Sequence, residues 1–307
     1  PGLVLWSEML SAAAVVGGAF NNETFVERHP FDDPFVYQIA GNSPDTMARA
    51  AKRLAATGCF AVEINMGCSA PDILKKGWCA RLLADFDLAR SIVRECRAAC
   101  PTRLAVKMRS GFAGNDADYL ARFAGMLVDE GVDFITLHPR FARLSFRRSA
   151  DWTLVQTLAG MLPVPVIGNG DITSPQIAIK RLSESGATAV MIGREAVKSP
   201  WIFSVCDALW EESALDLEID VEETFVRGLD YIRLYLPEHM HKSRGHRFCF
   251  YFSKNAKFSH ELYTKLRRAS LIDDMIGIVR SHYSASPRER VLRIQTRGGA
   301  IAEGHSP

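Results

Sequence analysis

Short hydrophobic runs alternate with amphipathic stretches over roughly the first 200 residues. We predict seven of these runs as strands: Leu3–Met9, Phe35–Gly41, Phe60–Gly67, Arg103–Gly111, Phe134–Arg140, Pro165–Ile172 and Ala189–Val197. The stretches between them carry helix signals, such as Ser43-Pro44 at a start and Gly58 at an end. Near-continuous apolar strands that alternate with helices predict a parallel sheet buried on both faces.

The polar positions favour a (β/α)8 barrel over a doubly wound sheet, which would show the same alternation. Polar or charged residues stand at the C-terminal ends of nearly all the runs: Gln38, Asn65, Lys107, Arg109, His138, Arg140, Asn169 and Arg194. A barrel builds its site from many strand ends, whereas a doubly wound sheet concentrates its ligands at one switch point. Because such a barrel has eight strands, we expect the first strand upstream of Pro1, or another element in its place.

The alternation stops after Trp201-Ile202-Phe203. Val221–Leu236 and Ala256–Tyr283 are predicted helices, joined by a basic, aromatic loop over residues 242–248. The Ser-, Arg- and Gly-rich composition from Ser284 onward predicts a loosely ordered tail. The expected domains are a TIM barrel over residues 1–215, a small all-helical domain over 216–285 and a flexible tail over 286–307.

Charge adds a partner to this picture. Residues 239–299 hold 13 Lys or Arg against 4 Asp or Glu, a net of +9, within a chain whose net charge is only +2. A basic segment fits a polyanionic partner such as nucleic acid, although a solvated helical face would carry the same charges. The sequence has no leader-like start and no apolar run long enough to span a membrane, which predicts a cytoplasmic protein without a membrane partner. Its scattered cysteines form no CxxC pair and no zinc spacing, which predicts reduced thiols and no metal site. We expect a monomer.

Candidate chemistry lies at the strand ends. Cys68 follows Asn65-Met66-Gly67, where a thiol can donate a proton to a bound ring, although a cysteine after a strand is more often a packing residue. Lys107 and Arg109 point to one face of a strand and need an anion or an electron-rich ring, or else a structural carboxylate partner. His138 beside Arg140 is a further ligand-binding candidate.

Glycine-containing motifs end the last two predicted strands. Gly168-Asn169-Gly170-Asp171 and Gly193-Arg194 stand where barrels of this class bind phosphate through backbone N–H groups. Each motif is weak alone, but their order and placement together predict a phosphate site.

An ordered set of motifs resembles the tRNA-dihydrouridine synthase family in identity, order and spacing. The set consists of Asn65-Met66-Gly67-Cys68, Val106-Lys107-Met108-Arg109, His138-Pro139-Arg140, Ala150-Asp151-Trp152, Asn169-Gly170-Asp171, Gly193-Arg194 and Pro200-Trp201-Ile202-Phe203. The match is close over residues 3–205 and looser beyond. It implies an FMN-dependent TIM barrel that reduces uridines in tRNA, with NADPH or NADH as reductant.

The resemblance also implies residue roles. A flipped uridine would take hydride at C6, Cys68 would protonate C5, and Asn65 would orient the uracil. Arg109 and Arg140 are further substrate-binding candidates. The implied FMN contacts are Gln38, Lys107 and His138 along the ring and ribityl chain, and Asn169, Gly170, Asp171, Gly193 and Arg194 at the phosphate end.

The chain departs from the family pattern at the rim of the expected site. Ser69 replaces the usual proline after the cysteine, and Phe141-Ala142-Arg143-Leu144 and Glu195–Ser199 replace the usual loop sequences. Two other functions fit the same residues: an FMN-barrel oxidoreductase for a small molecule, similar to dihydroorotate dehydrogenases, and a non-catalytic tRNA-binding homologue. The basic segment argues against the first, because a small-molecule enzyme does not need it.

Overall fold

The computed structural model describes residues 2–18, 26, 32–114, 116–143 and 149–305. These residues form two compact units, which we describe one at a time. The first comprises Pro1–Asp171 with Lys180–Met191, and the second comprises Ile172–Ile179 with Ile192–Pro307.

The first unit is built on a seven-stranded sheet in which every neighbouring pair is parallel and the strands follow one another in sequence order. The strands are β1 Leu5–Ser11, β2 Phe35–Ala40, β3 Ala61–Met66, β4 Arg103–Arg109, β5 Phe134–His138, β6 Val166–Asn169 and β7 Ala189–Met191. The side chains of β2 and β3 are almost all buried, which is why these strands read as continuous apolar runs. The predicted barrel architecture is confirmed, with seven of its strands.

Helices follow the strands as the alternation predicted. They are α1 Ala12–Gly17, α2 Pro44–Ala55, α3 Pro71–Lys75, α4 Phe86–Ala99, α5 Ala117–Asp129, α6 Thr153–Met161 and α7 Pro175–Ser185, with a 3₁₀ turn over Cys79–Ala84. Side-chain caps start several of them: the Asp85 carboxylate accepts from Leu88 N (3.1 Å) and that of Asp116 from Tyr119 N (2.9 Å). No helix in the described ranges is both long and apolar enough to cross a bilayer.

The second unit combines helices with a small antiparallel sheet. Its helices are α8 Arg194–Lys198, α9 Ile202–Trp210, α10 Val221–Tyr235, α11 Glu238–Phe252, α12 Ser259–Leu266 and α13 Ile272–Ala285, and its strands are β8 Leu215–Asp220, β9 Val291–Arg297 and β10 Ala300–His305. The sheet order is β10-β9-β8. Phe225, Phe252, Met275 and Tyr283 are among the fully buried side chains of its core.

Two predictions for this region are wrong. The predicted loop over 242–248 lies inside α11, because Gly245 lets this helix pack closely on Met275 and Ile272: an added Cβ would lie 2.9 and 3.0 Å from their side chains. Ala256–Tyr283 is likewise two helices rather than one. The predicted Ala189–Val197 strand is also shorter, since helix α8 begins at Arg194.

Within the expected flexible tail over 286–307, the described residues include β9 and β10 instead. Buried and exposed side chains alternate along Val291–Arg297, the pattern of a strand with one buried face. Gly298 and Gly299 have φ values of 56° and 79°, as a two-residue hairpin turn requires. The Arg- and Gly-rich composition therefore marks a hairpin and not disorder.

The second unit as a whole is less basic than the segment 239–299 that it contains. Residues 172–179 and 192–307 carry 17 Lys or Arg against 16 Asp or Glu, and the remaining residues carry 20 against 19, so each unit has a net charge of +1. Acids of β8 offset part of the basic segment, as where Arg290 bonds Asp220 (2.8 Å) and Arg293 bonds Glu218 (3.0 Å). Any binding of RNA would therefore depend on where individual cations lie, and not on the net charge of a unit.

Candidate active site

The C-terminal half of the parallel sheet carries a set of polar side chains inside the first unit. Strand register explains the set, because Gln38 pairs with Glu63, Asn65 with Lys107, and Lys107 with Thr136. In parallel strands, residues that pair laterally point to the same face of the sheet. The predicted convergence of strand-end polar residues is thus present in this unit.

A chain of hydrogen bonds connects β2, β3 and β5 within this set. The Asn65 amide nitrogen donates to Gln38 Oε1 (2.6 Å), and Gln38 Nε2 donates to the Glu63 carboxylate (2.5 Å). Thr136 Oγ1 donates to the other Glu63 oxygen (3.0 Å). All four side chains are buried, and the exposed fraction of Glu63 is 0%. Burial raises the pKa of Glu63, while the hydrogen bond from Gln38 and the charge of Lys107 lower it.

Cys68 follows this chain on the turn after β3. Asn65 Oδ1 accepts hydrogen bonds from the backbone N–H groups of Gly67 and Cys68, both at 2.9 Å, and so fixes the turn. The Cys68 carbonyl accepts from Ala80 N (3.2 Å). Among the described cysteines of this unit, Cys68 is the one that is not buried. Cys68 is therefore partly open to solvent, as a proton donor requires.

Cys79 lies close to Cys68 but in a different environment. It is fully buried, and its Sγ is 3.5 Å from the Met9 sulfur. Burial, followed by the nearby Cys68, raises the pKa of Cys79. A buried thiol with a raised pKa behaves as a packing residue.

Lys107 occupies the centre of the polar set. Its Nζ donates to Asn169 Oδ1 (3.3 Å), and Asn169 Nδ2 donates to the Met191 carbonyl (2.8 Å). Burial lowers the pKa of Lys107 and Arg109 lowers it further, while Glu63 and Cys68 raise it. Lys107 is only partly exposed, so a ligand that reached it would meet a poorly hydrated cation.

The arginines of the site bond protein groups. Arg109 Nε donates to the Gly67 carbonyl (2.8 Å) and Nη1 to that of Phe141 (3.4 Å), which ties together the loops after β3 and β5. Arg140 donates to both carboxylate oxygens of Asp171, at 2.8 and 2.6 Å. Arg140 thus has a structural carboxylate partner, which is the alternative to a bound ligand. The substrate-binding roles of Arg109 and Arg140 stay predictions.

His138 faces this cation cluster as a neutral base. Burial lowers the pKa of His138 to about 3, and the charges of Arg109, Lys107 and Arg140 add to the effect. Its Nε2 lies 3.1 Å from Arg140 Nη1 and accepts from it. The imidazole is thus an acceptor at neutral pH.

This shift predicts a pH-dependent stability that a substitution should remove. The unfolded chain protonates His138 near pH 6.5, whereas the folded chain does not until about pH 3, so stability falls as pH falls through that window. One such group contributes a slope of about 1.4 kcal/mol per pH unit. Urea unfolding at pH 7, 6 and 5 should show that slope reduced by this amount in His138→Asn. Equal slopes in both proteins would mean that His138 titrates normally.

The glycine motif after β6 has a packing role. A Cβ on Gly168 would lie 2.3 Å from the Trp152 ring, and Gly170 has a φ of 127° that disfavours a side chain. Trp152 Nε1 donates to the Gly170 carbonyl (3.1 Å). Gly193 and Arg194 belong to the second unit, where Gly193 immediately precedes α8. The phosphate-binding roles of these residues stay predictions.

The pattern of strand-end residues described above has counterparts in known proteins. The family model described as "Dihydrouridine synthase (Dus)" matches residues 2–260. This chain belongs to the dihydrouridine synthase family. A probable tRNA-dihydrouridine synthase 1 of Synechocystis sp. is 34% identical over 202 residues, covering 66% of this chain and 56% of that protein. A tRNA-dihydrouridine synthase B of Xanthomonas axonopodis pv. citri is 30% identical over 263 residues, covering 82% and 77%.

The aligned segment spans only part of several Dus relatives. It covers 56% of the Synechocystis protein and 65% of the tRNA-dihydrouridine synthase B of Pasteurella multocida, which is 30% identical over 218 residues. Among solved structures, histamine dehydrogenase from Rhizobium sp. 4-9 superposes on 68% of this chain and 42% of its own, with a TM-score of 0.50 and 13% identity. That likeness concerns the fold alone.

Two buried residues of the site, Glu63 and Thr136, were not predicted from the sequence of the segment that matches the Dus family. Glu63 lies two positions before Asn65 on β3, so the alternation of strand side chains places both on the same face. A carboxylate inside a strand that is otherwise apolar was the available signal. Its charge also opposes the lowering of the Lys107 pKa by burial, as the structural carboxylate considered for Lys107 would.

Proposed function

We propose that this chain is a tRNA-dihydrouridine synthase that acts as a monomer in the cytoplasm. It reduces the C5–C6 double bond of uridine in tRNA, with FMN as cofactor and NADPH or NADH as the source of electrons. The observation that carries the proposal is an accessible thiol, Cys68, held by Asn65 at a strand end beside two cations. Family membership supports the same reaction class.

The donor set fits a flavin. The Gln38 amide on β2 and Lys107 on β4 lie on the same face of the sheet and suit the polar edge and ribityl hydroxyls of FMN, and His138 adds an acceptor. Asn169, Gly170, Asp171, Gly193 and Arg194 are the proposed residues for its phosphate end. When bound, FMN supplies the hydride that adds to C6 of uracil.

The protein's own contribution is position and a proton. Asn65 orients the uracil, and the Cys68 thiol transfers its proton to C5, which completes the addition of two hydrogens across the double bond. Burial lowers the pKa values of Lys107 and Arg109, and negative charge at the Cys68 sulfur opposes that lowering, so the two cations would stabilise the thiolate left after proton transfer. The target uridine must leave its stack to reach this depth, as in other enzymes that modify bases.

One experiment separates this proposal from its two alternatives. Purified protein should be yellow with an FMN spectrum, should be bleached by NADPH or NADH without oxygen, and should convert unmodified tRNA uridine to dihydrouridine, detected by mass spectrometry of digested RNA. A yellow protein that leaves tRNA unchanged would favour an oxidoreductase for a small molecule. A colourless protein that binds tRNA would favour a non-catalytic homologue.

Arg194 is the proposed cation for the FMN phosphate. Replacing it with alanine should remove charge-assisted hydrogen bonds and weaken FMN binding by roughly 1.5–3 kcal/mol. Flavin fluorescence titration of the apoprotein measures this change. Lys198→Ala in the same helix is the matched control, because that cation bonds Glu195 (2.9 Å). An unchanged dissociation constant in Arg194→Ala would place the phosphate elsewhere.

The second unit is the proposed principal anchor for tRNA. Arg267 and Arg268 are exposed at the end of α12, and Lys254 lies 4.5 Å from the exposed Phe250 ring, a combination that suits phosphates and unstacked bases. Arg267→Glu with Arg268→Glu should raise the tRNA dissociation constant and flatten its salt dependence by a slope of about 2, one per lost phosphate contact.

Filter binding across a salt series measures this effect. FMN content and NADPH oxidation should stay unchanged in the double variant. Reversal of Arg49 and Lys52, exposed on α2, is the matched control in the first unit. If the control flattens the salt slope and Arg267→Glu with Arg268→Glu does not, the barrel carries the anchor.

A further inference from the structure

Glu63 is a carboxylate in the middle of a buried strand. Its side chain has no solvent exposure, and its oxygens accept from Gln38 Nε2 (2.5 Å) and Thr136 Oγ1 (3.0 Å). An unbonded acid at this depth is strongly destabilising, and an apolar residue would fill the space without that cost. The carboxylate therefore needs a reason beyond packing, and its hydrogen bonds supply one.

The hydrogen bonds of this chain have a fixed direction. Asn65 Oδ1 accepts from the N–H groups of Gly67 and Cys68, so the amide nitrogen of Asn65 must point the other way. That nitrogen donates to Gln38 Oε1, which in turn leaves Gln38 Nε2 facing residue 63. Because the last group in the chain must accept, only an acceptor at position 63 preserves both amide orientations.

We propose that Glu63 is the positioning residue of this site: it fixes the amide orientations of Gln38 and Asn65, and through Asn65 it holds the turn that presents Cys68. The effect of Glu63 on the backbone turn is independent of any activity. Its effect on uridine reduction rests on the proposed function above.

The charge of Glu63 offers a rival explanation. Burial lowers the pKa of Lys107, and so does Arg109 on its own strand, whereas Glu63 from β3 and Cys68 raise it. The charge of Lys107 in turn lowers the pKa of His138 on β5. If Glu63 served only to keep Lys107 positively charged, removing its charge would be as harmful as removing the side chain. Glu63→Gln separates the two, because glutamine keeps an acceptor for Gln38 and can donate to Thr136 Oγ1.

Hydrogen exchange of the apoprotein tests the positioning role directly. In Glu63→Leu, the Gly67 and Cys68 amides should exchange about tenfold faster or more, while Val106 in the core of β4 keeps its rate. Glu63→Gln should exchange like the wild type. Glu95→Leu, the same change at an exposed position of α4, is the matched control. Unchanged exchange at Gly67 and Cys68 in Glu63→Leu would overturn the proposal, as would equal acceleration at Val106.

If Glu63→Leu does not fold, a double variant with an uncharged polar residue at position 63 tests the same hydrogen-bond chain. Combining Glu63→Gln with Gln38→Leu cuts the same chain one link later and leaves no buried carboxylate without its amide donor. It should accelerate exchange at Gly67 and Cys68 to the same extent. Wild-type exchange in this double variant would show that the turn does not depend on the chain.

Single-turnover uridine reduction by flavin-loaded protein adds the catalytic readout. Glu63→Leu should be slower by about tenfold or more with flavin content kept, and Glu63→Gln should stay within about threefold of the wild type. Equal losses in the two variants would favour the charge explanation and contradict positioning. A wild-type protein that leaves uridine unreduced would refute the proposed function, and the exchange result would still decide the role of Glu63.

Discussion

Cys68→Ala is expected to slow the reduction of tRNA uridine by a factor on the order of 10²–10⁴, the usual contribution of a positioned general acid. The reason is structural: the thiol is accessible, and Asn65 fixes the backbone N–H of Cys68 at 2.9 Å. Flavin content should not change, because the thiol is proposed to serve the uracil and not the cofactor. Single-turnover kinetics with pre-reduced protein separates this step from the reduction of the flavin by NADPH.

Cys206→Ala is the control for this prediction, since Cys206 is also incompletely buried but lies in α9 of the second unit. It should reduce uridine at the wild-type rate. Cys79→Ala should mainly lower stability, because that thiol packs against Met9. Near-normal single-turnover reduction by Cys68→Ala would remove Cys68 from the mechanism and leave solvent as the proton source.

The second large effect is expected in stability, at the ion pair of Arg140 with Asp171. The Arg140 side chain is only 3% exposed, so Asp171→Ala would leave a buried guanidinium without its main partner. Removing one member of a buried pair costs about 3–5 kcal/mol, and we expect about 2–3 kcal/mol because the Asp171 side chain is 31% exposed. Urea unfolding at pH 7 measures the loss.

Two further variants distinguish the effect of this buried pair on stability from the effects of backbone strain and of an exposed ion pair. Asp171 has a φ of 54°, which asparagine tolerates better than alanine, so Asp171→Asn should lose less stability. Asp45→Ala breaks the exposed pair with Arg49 and should cost below about 1 kcal/mol. A loss of the same size in Asp45→Ala and Asp171→Ala would mean that burial of the Arg140 pair carries no special weight.

Acid should weaken the same pair. Burial alone raises the pKa of Asp171, but hydrogen bonds from Arg140 and the Ala150 N–H more than offset this, so the pKa of Asp171 is lowered on folding. A lowered carboxyl pKa means that the stabilisation is complete above the unfolded value of about 4. It is lost as pH falls through the folded value.

The barrel and its strand-end residues could be predicted from sequence because both depend on local rules. Strand alternation fixes the face of each side chain, and parallel order brings the C-terminal ends of neighbouring strands together. The lateral pairing of Lys107 with Asn65 thus follows from the sequence pattern alone. What local rules cannot provide is the partner: that Arg140 bonds Asp171, 31 residues away, depends on how two loops fold.

The second unit was predicted less well for a related reason. The break between α12 and α13 and the continuous α11 are set by packing among helices, such as the contact of Gly245 with Met275, and not by residue propensities. The β9–β10 hairpin is different, because its signal was present in the sequence. The alternation of apolar and polar residues along Val291–Arg297, followed by Gly298-Gly299, indicates a strand and a tight turn, whereas the composition of the segment alone indicated disorder.

The pairing of β8 with β9 has a consequence for the order of folding during synthesis. Leu217 aligns with Ile294 and Ile219 with Leu292, so this antiparallel pair closes across the helices encoded between the two strands. Leu292 and Ile294 are buried in the core of the second unit. A nascent chain that has left the ribosome only as far as α13 therefore has an incomplete apolar core. This unit can complete its folding only after β9 has left the exit tunnel.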